Sequence, residues 1–316
     1  MEKQKLVVII GPTAVGKTKL SINLAKKFNG EIISGDSAQI FKGMDIGTAK
    51  VTKDEMEGIP HYLIDCREPS ESYNVYDFKQ EVQQKINDIT NRGKLPILVG
   101  GTGLYIQSVL YDYQFPETTA NPNIRKELEE RIEQEGPDAV YQTLVEIDPV
   151  AAKKIHPNNT KRVIRALEVF YDSGKRFSEQ EQSTERTLLY DVALIGLTMD
   201  RDLLYKRINE RVEAMMQQGL EEEVRKLYAK GLKDAQSMQA IGYKEFEGLI
   251  EGTETRENVI AEIQRNSRRF AKRQFTWFRN KMDVHWFDMT NLADFEKISE
   301  EISLEVAGML ALKANR

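Results

Sequence analysis

The sequence predicts an α/β fold: a P-loop NTPase-like parallel sheet with helices on both faces, plus an all-helical insertion domain. Three observations lead there. GPTAVGKT, residues 11–18, has the spacing of a phosphate-binding loop and stands between an apolar run and a helix-like stretch. Short apolar runs bounded by turn residues recur along the chain with helical patterns between several of them, as βαβ units require. Residues 117–189 contain no comparable run and read as helices throughout.

KLVVII, residues 5–10, is the first strand, and the helix after the loop buries Leu20, Leu24 and Phe28 on one side. Further strands are expected at EIIS (31–34), HYLID (61–65) and LPILVG (95–100). Their continuous apolar character suits strands covered on both faces. NIRKELEERIEQEG, PDAVYQTLVEI, DPVAAKKI and TKRVIRALEVFYDSG space apolar residues three or four apart, with Pro or Gly at the breaks. VALIGLT (192–198) and VHWF (284–287) complete the strands, and RDLLYKRINERVEAMMQQG and NVIAEIQRNSRRFAKRQFTWFRNK are long helices. The expected division is a core of residues 1–116 and 190–316 around an insertion of residues 117–189.

The chain has 316 residues, 40% hydrophobic and 30% charged, enough for one large core and a smaller domain. No apolar run approaches the roughly 20 residues of a membrane span. The start, MEKQKLVVII, lacks the layout of a signal peptide. A cytoplasmic monomer with no membrane partner is expected. Cys66 is the single cysteine, so no disulfide forms within the chain, and His61, His156 and His285 are scattered without the spacing of zinc ligands.

Gly11, Thr13, Ala14, Val15 and Gly16 let backbone amides turn toward an anion, Lys17 neutralises an outer phosphate, and Thr18 can ligate Mg²⁺, the expected cofactor. The loop reports a diphosphate or longer and leaves its bearer open. Ile32 and Ile33 put Asp36 just past the carboxyl end of the second strand, where open α/β sheets bind ligands. There it can face an acceptor, or simply cap a following helix with Ser37. Gly43, Gly47 and Thr48 imply a tight loop with amides available to an anion or a flipped base. An ATPase would place an acid at the end of LPILVG, and Gly100 stands there instead. Asp65 and Asp200 are candidates for supporting Mg²⁺, or for structural caps.

Two basic stretches break the pattern of a chain with net charge −5. Residues 153–165 carry Lys153, Lys154, Lys161, Arg162 and Arg165, and residues 265–281 carry Arg265, Arg268, Arg269, Lys272, Arg273, Arg279 and Lys281, both without an acid. Phe270, Phe275, Trp277 and Phe278 interleave the second. Such runs are usually solvated helix faces. Segregation this complete favours an RNA surface.

GPTAVGKT, DSAQIFKGMDIGTAK, GGTGLYIQ, DPVAAKKIHPNNTKRVIRALEVF and KRQFTWFR, in this order and spacing, resemble the bacterial tRNA dimethylallyltransferase family, which prenylates adenosine 37 beside the anticodon. The likeness runs from about residue 6 to about 290, with Val51 in place of the usual proline after GTAK. It implies that the loop holds dimethylallyl diphosphate and that Asp36 is the general base on a flipped-out adenine. Lys17 and Thr102 join it as catalytic residues, and Arg201 and Arg207 reach the diphosphate. It also implies contacts to the tRNA from Asp36, Ser37, Ala38, Gln39, Thr102, Lys161, Arg162, Arg165, Gln239, Gly242 and Lys244, beside Arg268, Arg269 and Arg273 of the basic stretch. Two competing readings use the same loop: a small-molecule kinase, and a nucleotide-switched RNA-binding protein without catalysis.

Overall fold

The computed structural model describes residues 3–111, 122–181 and 187–312. The chain divides into two compact units, Met1–Tyr111 with Leu188–Arg316, and Asp112–Thr187. The boundary expected between 116 and 117 lies outside the described residues.

The first unit begins with β1 (Lys5–Ile10), α1 (Lys17–Phe28), β2 (Gly30–Ser34), β3 (His61–Tyr62), α2 (Val75–Asn91), β4 (Leu95–Gly100) and α3 (Gly103–Leu110). The second unit holds α4 (Pro122–Glu135), α5 (Pro137–Ile147), α6 (Pro149–Lys154), α7 (Thr160–Ser173) and α8 (Phe177–Glu181). The first unit resumes with β5 (Asp191–Thr198), α9 (Arg201–Gln217), α10 (Leu220–Ala229), α11 (Glu247–Glu251), α12 (Arg256–Lys281), β6 (His285–Asp288) and α13 (Phe295–Met309). Among the described residues no helix is long and apolar enough to cross a membrane.

The six strands form one sheet in the order β3-β2-β4-β1-β5-β6, and every neighbouring pair is parallel. This is the predicted fold class. Because side chains alternate along a strand, β1 feeds two cores. Leu6, Val8 and Ile10 pack with α2, α3, α10 and α12 residues such as Phe78, Val109, Val224 and Phe278. Val7 and Ile9 pack with Leu20 and Leu24 of α1 and Ile302 and Val306 of α13. Two covered faces explain why the strands read as unbroken apolar runs.

HYLID differs from expectation. Pairing with β2 stops after Tyr62, because Leu63 and Asp65 turn into the left-handed region at φ 60° and 53°. In this turn the Asp65 carboxylate meets Lys50, whose ammonium also binds Asp45 at 2.6 Å and the Phe41 carbonyl at 2.8 Å. The second unit has its own core, with Leu128, Val140, Leu144, Val163 and Leu167 converging from α4, α5 and α7. Arg125 clamps the buried Glu168 carboxylate through two hydrogen bonds of 2.6 and 3.0 Å.

The carboxyl ends of β2 and β4 approach unusually closely. The Gly35 amide donates to the Val99 carbonyl at 2.7 Å, and a Cβ on Gly100 would stand 2.4 Å from the Gly35 oxygen. Gly100→Ala is therefore expected to lower stability by about 1–3 kcal/mol, the ordinary cost of overpacking, read from a denaturant midpoint. An unchanged midpoint would mean that the two strand ends part freely.

Candidate active site

A cavity of about 840 Å³ lies within the first unit, at the carboxyl ends of β1, β2 and β4. Residues 13–19, 36–39, 47–49, 99–102 and 239–242 line it, with Lys244 and side chains from α9 and α12. This is the strand edge at which parallel α/β sheets bind ligands.

The phosphate loop forms one part of the wall. Ala14 and Gly16 take left-handed backbone at φ 66° and 107°, which turns the intervening amides the same way. Gly11 does not line the cavity; a Cβ there would lie 2.7 Å from the Leu197 carbonyl, so its backbone packs against β5. Lys17 is half-buried as a residue, yet its ammonium turns inward and donates to the Gly11 and Pro12 carbonyls at 3.0 and 2.8 Å. Burial lowers its pKa to about 8, Asp36 opposing and Arg211 adding to the shift.

Two arginines of α9 complete this wall. Arg207 Nε donates to the Ala14 carbonyl at 2.9 Å, and Arg211 donates to the Thr13 hydroxyl at 3.2 Å. Burial also lowers the pKa of Arg211, with Asp36 opposing. Arg201 is not at this wall: it sits at the start of α9, its guanidinium 5.2 Å from the Tyr205 ring centre. The sequence paired Arg201 with Arg207 and missed Arg211. The signal was present, because positions 207 and 211 are four apart and share a helix face.

Asp36 stands opposite, and no helix follows it. One carboxylate oxygen accepts from the Ala38 amide at 2.9 Å, fixing the side chain in a tight turn. Thr102 begins α3 without capping it through its side chain, and both it and Asp36 line the cavity. Gln274, also missed, is buried on α12 and joins two loops: it donates to the Gly101 carbonyl at 3.0 Å and accepts from the Thr13 amide at 3.3 Å. A polar residue at the core spacing of Ala271 and Phe278 was its trace in the sequence. Ile208, Val212, Met215, Ile263 and Phe270 give the same cavity an apolar lining.

Several expectations meet a different arrangement. The amides of residues 45–47 are not available to a ligand, because the Glu223 carboxylate accepts all three at 2.9–3.2 Å. Thr48 is likewise engaged, donating to the Met44 carbonyl at 2.6 Å. Gln39 lines the cavity while its amide ties the Thr48 and Ala49 carbonyls at 3.2 and 3.3 Å. Asp200 caps α9 and Asp65 pairs with Lys50, and neither lines the cavity.

The second basic stretch divides. Arg273 lines the cavity with its guanidinium 5.8 Å from the Phe270 ring centre, whereas Arg268 donates to Asn209 at 2.6 Å and Arg269 is exposed elsewhere on α12. Phe278 is wholly buried in the core, so it offers no surface to a partner. Ser37, Ala38, Gln239, Gly242 and Lys244 line the cavity as well. Lys161, Arg162 and Arg165 lie on α7 in the second unit, Arg165 donating to Glu168 at 3.4 Å.

Chemically the cavity can hold a diphosphate on Lys17, Arg207, Arg211 and the loop amides, with a carboxylate and a hydroxyl nearby. For a metal, Thr18 stands exposed beside Lys17, and Asp36, Glu55 and Glu57 line the same cavity. These oxygen donors fit a hard cation. Among the described residues no group of three His, Cys, Asp or Glu could hold a metal ion. Mg²⁺ takes one or two protein oxygens and leaves the rest to phosphate and water.

Arg211→Ala is expected to weaken binding of inorganic diphosphate roughly 10- to 100-fold, matching about 1.5–3 kcal/mol for a charge-assisted hydrogen bond. Arg201→Ala should bind like the parent. Titration calorimetry on both decides which arginine serves the loop.

Residues 39–281 match the family model described as IPP transferase. The chain is 59% identical to a tRNA dimethylallyltransferase of Bacillus cytotoxicus over 99% of its own length and 98% of that protein. It is 58% identical to one of Bacillus anthracis over 100% and 99%. A crystal structure of a Bacillus halodurans tRNA isopentenylpyrophosphate transferase superposes with TM-score 0.75 at 51% identity, covering 98% of this chain and 97% of that one. A eukaryotic dimethylallyltransferase described as acting on tRNA superposes with TM-score 0.83 at 33% identity, covering 99% of this chain and 81% of that one. The resemblance carried by the five sequence stretches is borne out, and the chain belongs to the IPP transferase family.

Proposed function

We propose that the chain transfers a dimethylallyl group from dimethylallyl diphosphate to N6 of adenosine 37 in the anticodon loop of tRNA and releases diphosphate. The observation that carries this reading is the single cavity joining a cationic phosphate loop, an apolar lining and the Asp36–Thr102 pair. The names of its relatives, tRNA dimethylallyltransferases, support the same reaction.

The N6 amine is a poor nucleophile because its lone pair is delocalised into the ring. The allylic C1–O bond must therefore weaken early, and negative charge collects on the departing diphosphate. Lys17, Arg207, Arg211 and the loop amides stabilise that charge where it grows, which lowers the barrier. As the C1–N6 bond forms, the amine becomes acidic and Asp36 accepts its proton. Thr102 orients the acceptor. Thr18 would hold Mg²⁺, which supplies further positive charge against the diphosphate. The apolar lining takes the five-carbon chain out of water.

The adenine must leave its stack to enter, at a cost of a few kcal/mol that contacts elsewhere on the tRNA offset. Arg273 over Phe270 at the cavity suits that role, since a guanidinium can meet phosphate and an aromatic face can receive a base. In this reading the helical unit adds backbone contacts through Lys161, Arg162 and Arg165, and the chain works as a cytoplasmic monomer. A small-molecule kinase would place an acid at the end of β4, where the glycine packs on Gly35.

The direct test is mass spectrometry of adenosine in tRNA after incubation with the protein, dimethylallyl diphosphate and Mg²⁺; unmodified adenosine would overturn the reading. Asp36→Asn keeps the turn, since Asn also accepts from the Ala38 amide, but cannot take the N6 proton. Single-turnover transfer with both substrates saturating should fall roughly two to four orders of magnitude, the usual contribution of a positioned base. The melting temperature should hold. A near-parental rate removes the base assignment.

The low pKa of Lys17 gives a second expectation. A bound diphosphate stabilises the ammonium and so raises this pKa, which means binding takes up a proton wherever the free protein has lost it. Affinity for dimethylallyl diphosphate at constant ionic strength should then be flat below the ligand-free value of about 8. Above it, affinity should fall by up to about tenfold per pH unit. Lys17→Arg, which cannot deprotonate in this range, should flatten the profile; an unchanged slope in that variant would assign the proton elsewhere.

A further inference from the structure

We infer that Glu223 is a positioning residue for the acceptor side of the cavity, acting as an internal anion that holds two of its walls together. The inference rests on the reading of that cavity as the prenyl-transfer site.

Glu223 lies in the first turn of α10 and does not line the cavity. One carboxylate oxygen accepts from the Asp45 and Ile46 amides, both at 2.9 Å. The other accepts from the Gly47 amide at 3.1 Å and from the Tyr243 hydroxyl at 2.7 Å. Three successive amides turned to one point form the kind of concavity that binds a free anion. Here the anion is built in.

The two walls are the two sets of donors. Gly47, Thr48 and Ala49 line the cavity immediately after the captured amides. The Thr48 and Ala49 carbonyls accept from the side-chain amide of Gln39, three residues from Asp36, at 3.2 and 3.3 Å. Tyr243, wholly buried, lies between the lining residues Gly242 and Lys244. Its ring presses on Gly47 so closely that a Cβ there would lie 2.5 Å from it. Burial, the Glu223 charge and its hydrogen bond all push the Tyr243 phenol well above its ordinary pKa, so it stays a donor. The carboxylate thereby fixes the 47–49 wall against the 239–244 wall, and through Gln39 sets both against Asp36. None of these contacts involves residues 11–18 or the arginines of α9.

Glu223→Gln tests this. An amide of the same shape turns an NH₂ group toward donors that need an acceptor, so part of the clamp opens. Misplacement of about 1 Å at a reacting pair can cost on the order of 10²-fold. Single-turnover transfer should fall by about that factor and KM for tRNA should rise, while the Kd for dimethylallyl diphosphate stays within about twofold of the parent. General loosening of the fold would instead move donor affinity and rate together, and that result would overturn the inference, as would a parental rate. If Glu223→Gln does not fold, Tyr243→Phe carries the same test. It removes one hydroxyl from one wall, and a rate about tenfold lower with unchanged donor affinity supports the clamp, whereas a parental rate rejects it. The parent assayed alongside separates the two levels: without transfer by the parent, the reading of the cavity itself fails.

Discussion

Positive charge is gathered at the end of β1 before any anion arrives, and the site depends on that arrangement. Lys17, Arg207 and Arg211 all bond to the phosphate loop itself. Burial disfavours the charge on both Lys17 and Arg211, with the Asp36 carboxylate opposing the shift in each case. A protein that keeps cations partly desolvated has paid part of the electrostatic cost of catalysis in advance. Charge developing on a leaving group then meets donors that need little rearrangement.

The same chain solves the problem of turned amides in two opposite ways. At residues 13–18 the backbone is bent by Ala14 and Gly16 and left facing a cavity. At residues 45–47 a comparable set of amides is satisfied internally by Glu223. Glycine content alone does not separate these cases. What separates them is a carboxylate some 180 positions later in the chain, and that is tertiary information. The first set serves a ligand that comes and goes; the second makes a wall whose shape has to persist through turnover.

The layout of the sheet was legible because its physics is local. Buried parallel strands need apolar side chains on both faces, and KLVVII and LPILVG show it directly, matching β1 and β4 residue for residue. HYLID was overread because the chain turns left-handed at Leu63 and Asp65, where Asp65 meets Lys50, a turn that no pattern of hydrophobicity reports. Asp36 could be placed at the cavity because it follows a strand end by two residues, while Thr102 was named from the resemblance and lies two residues past the end of β4. Gln274 left only the trace of a polar residue at core spacing and Glu223 none, since both come from helices whose docking brings distant polar groups together. Arg201 was named with Arg207 from the resemblance, whereas Arg211 shares the face of Arg207 four positions on, the face that α9 lays on the loop.

The end of β4 explains how a phosphate-loop fold departs from phosphoryl transfer. An acid there would help hold a metal over a nucleotide. In this chain the position is a glycine whose hydrogen side meets Gly35 at the end of β2, and a side chain of any kind would force the strand ends apart. Closing that gap draws the segment carrying Asp36 toward the loop that carries Thr102, since Gly35 bonds to Val99 directly. The carboxylate of the site therefore stands at the end of β2, where Asp36 lines the cavity together with the apolar side chains. Carbon transfer needs a base near the acceptor more than it needs a second ligand on the phosphates. The glycine contact at the strand ends leaves no room for an acid at the end of β4.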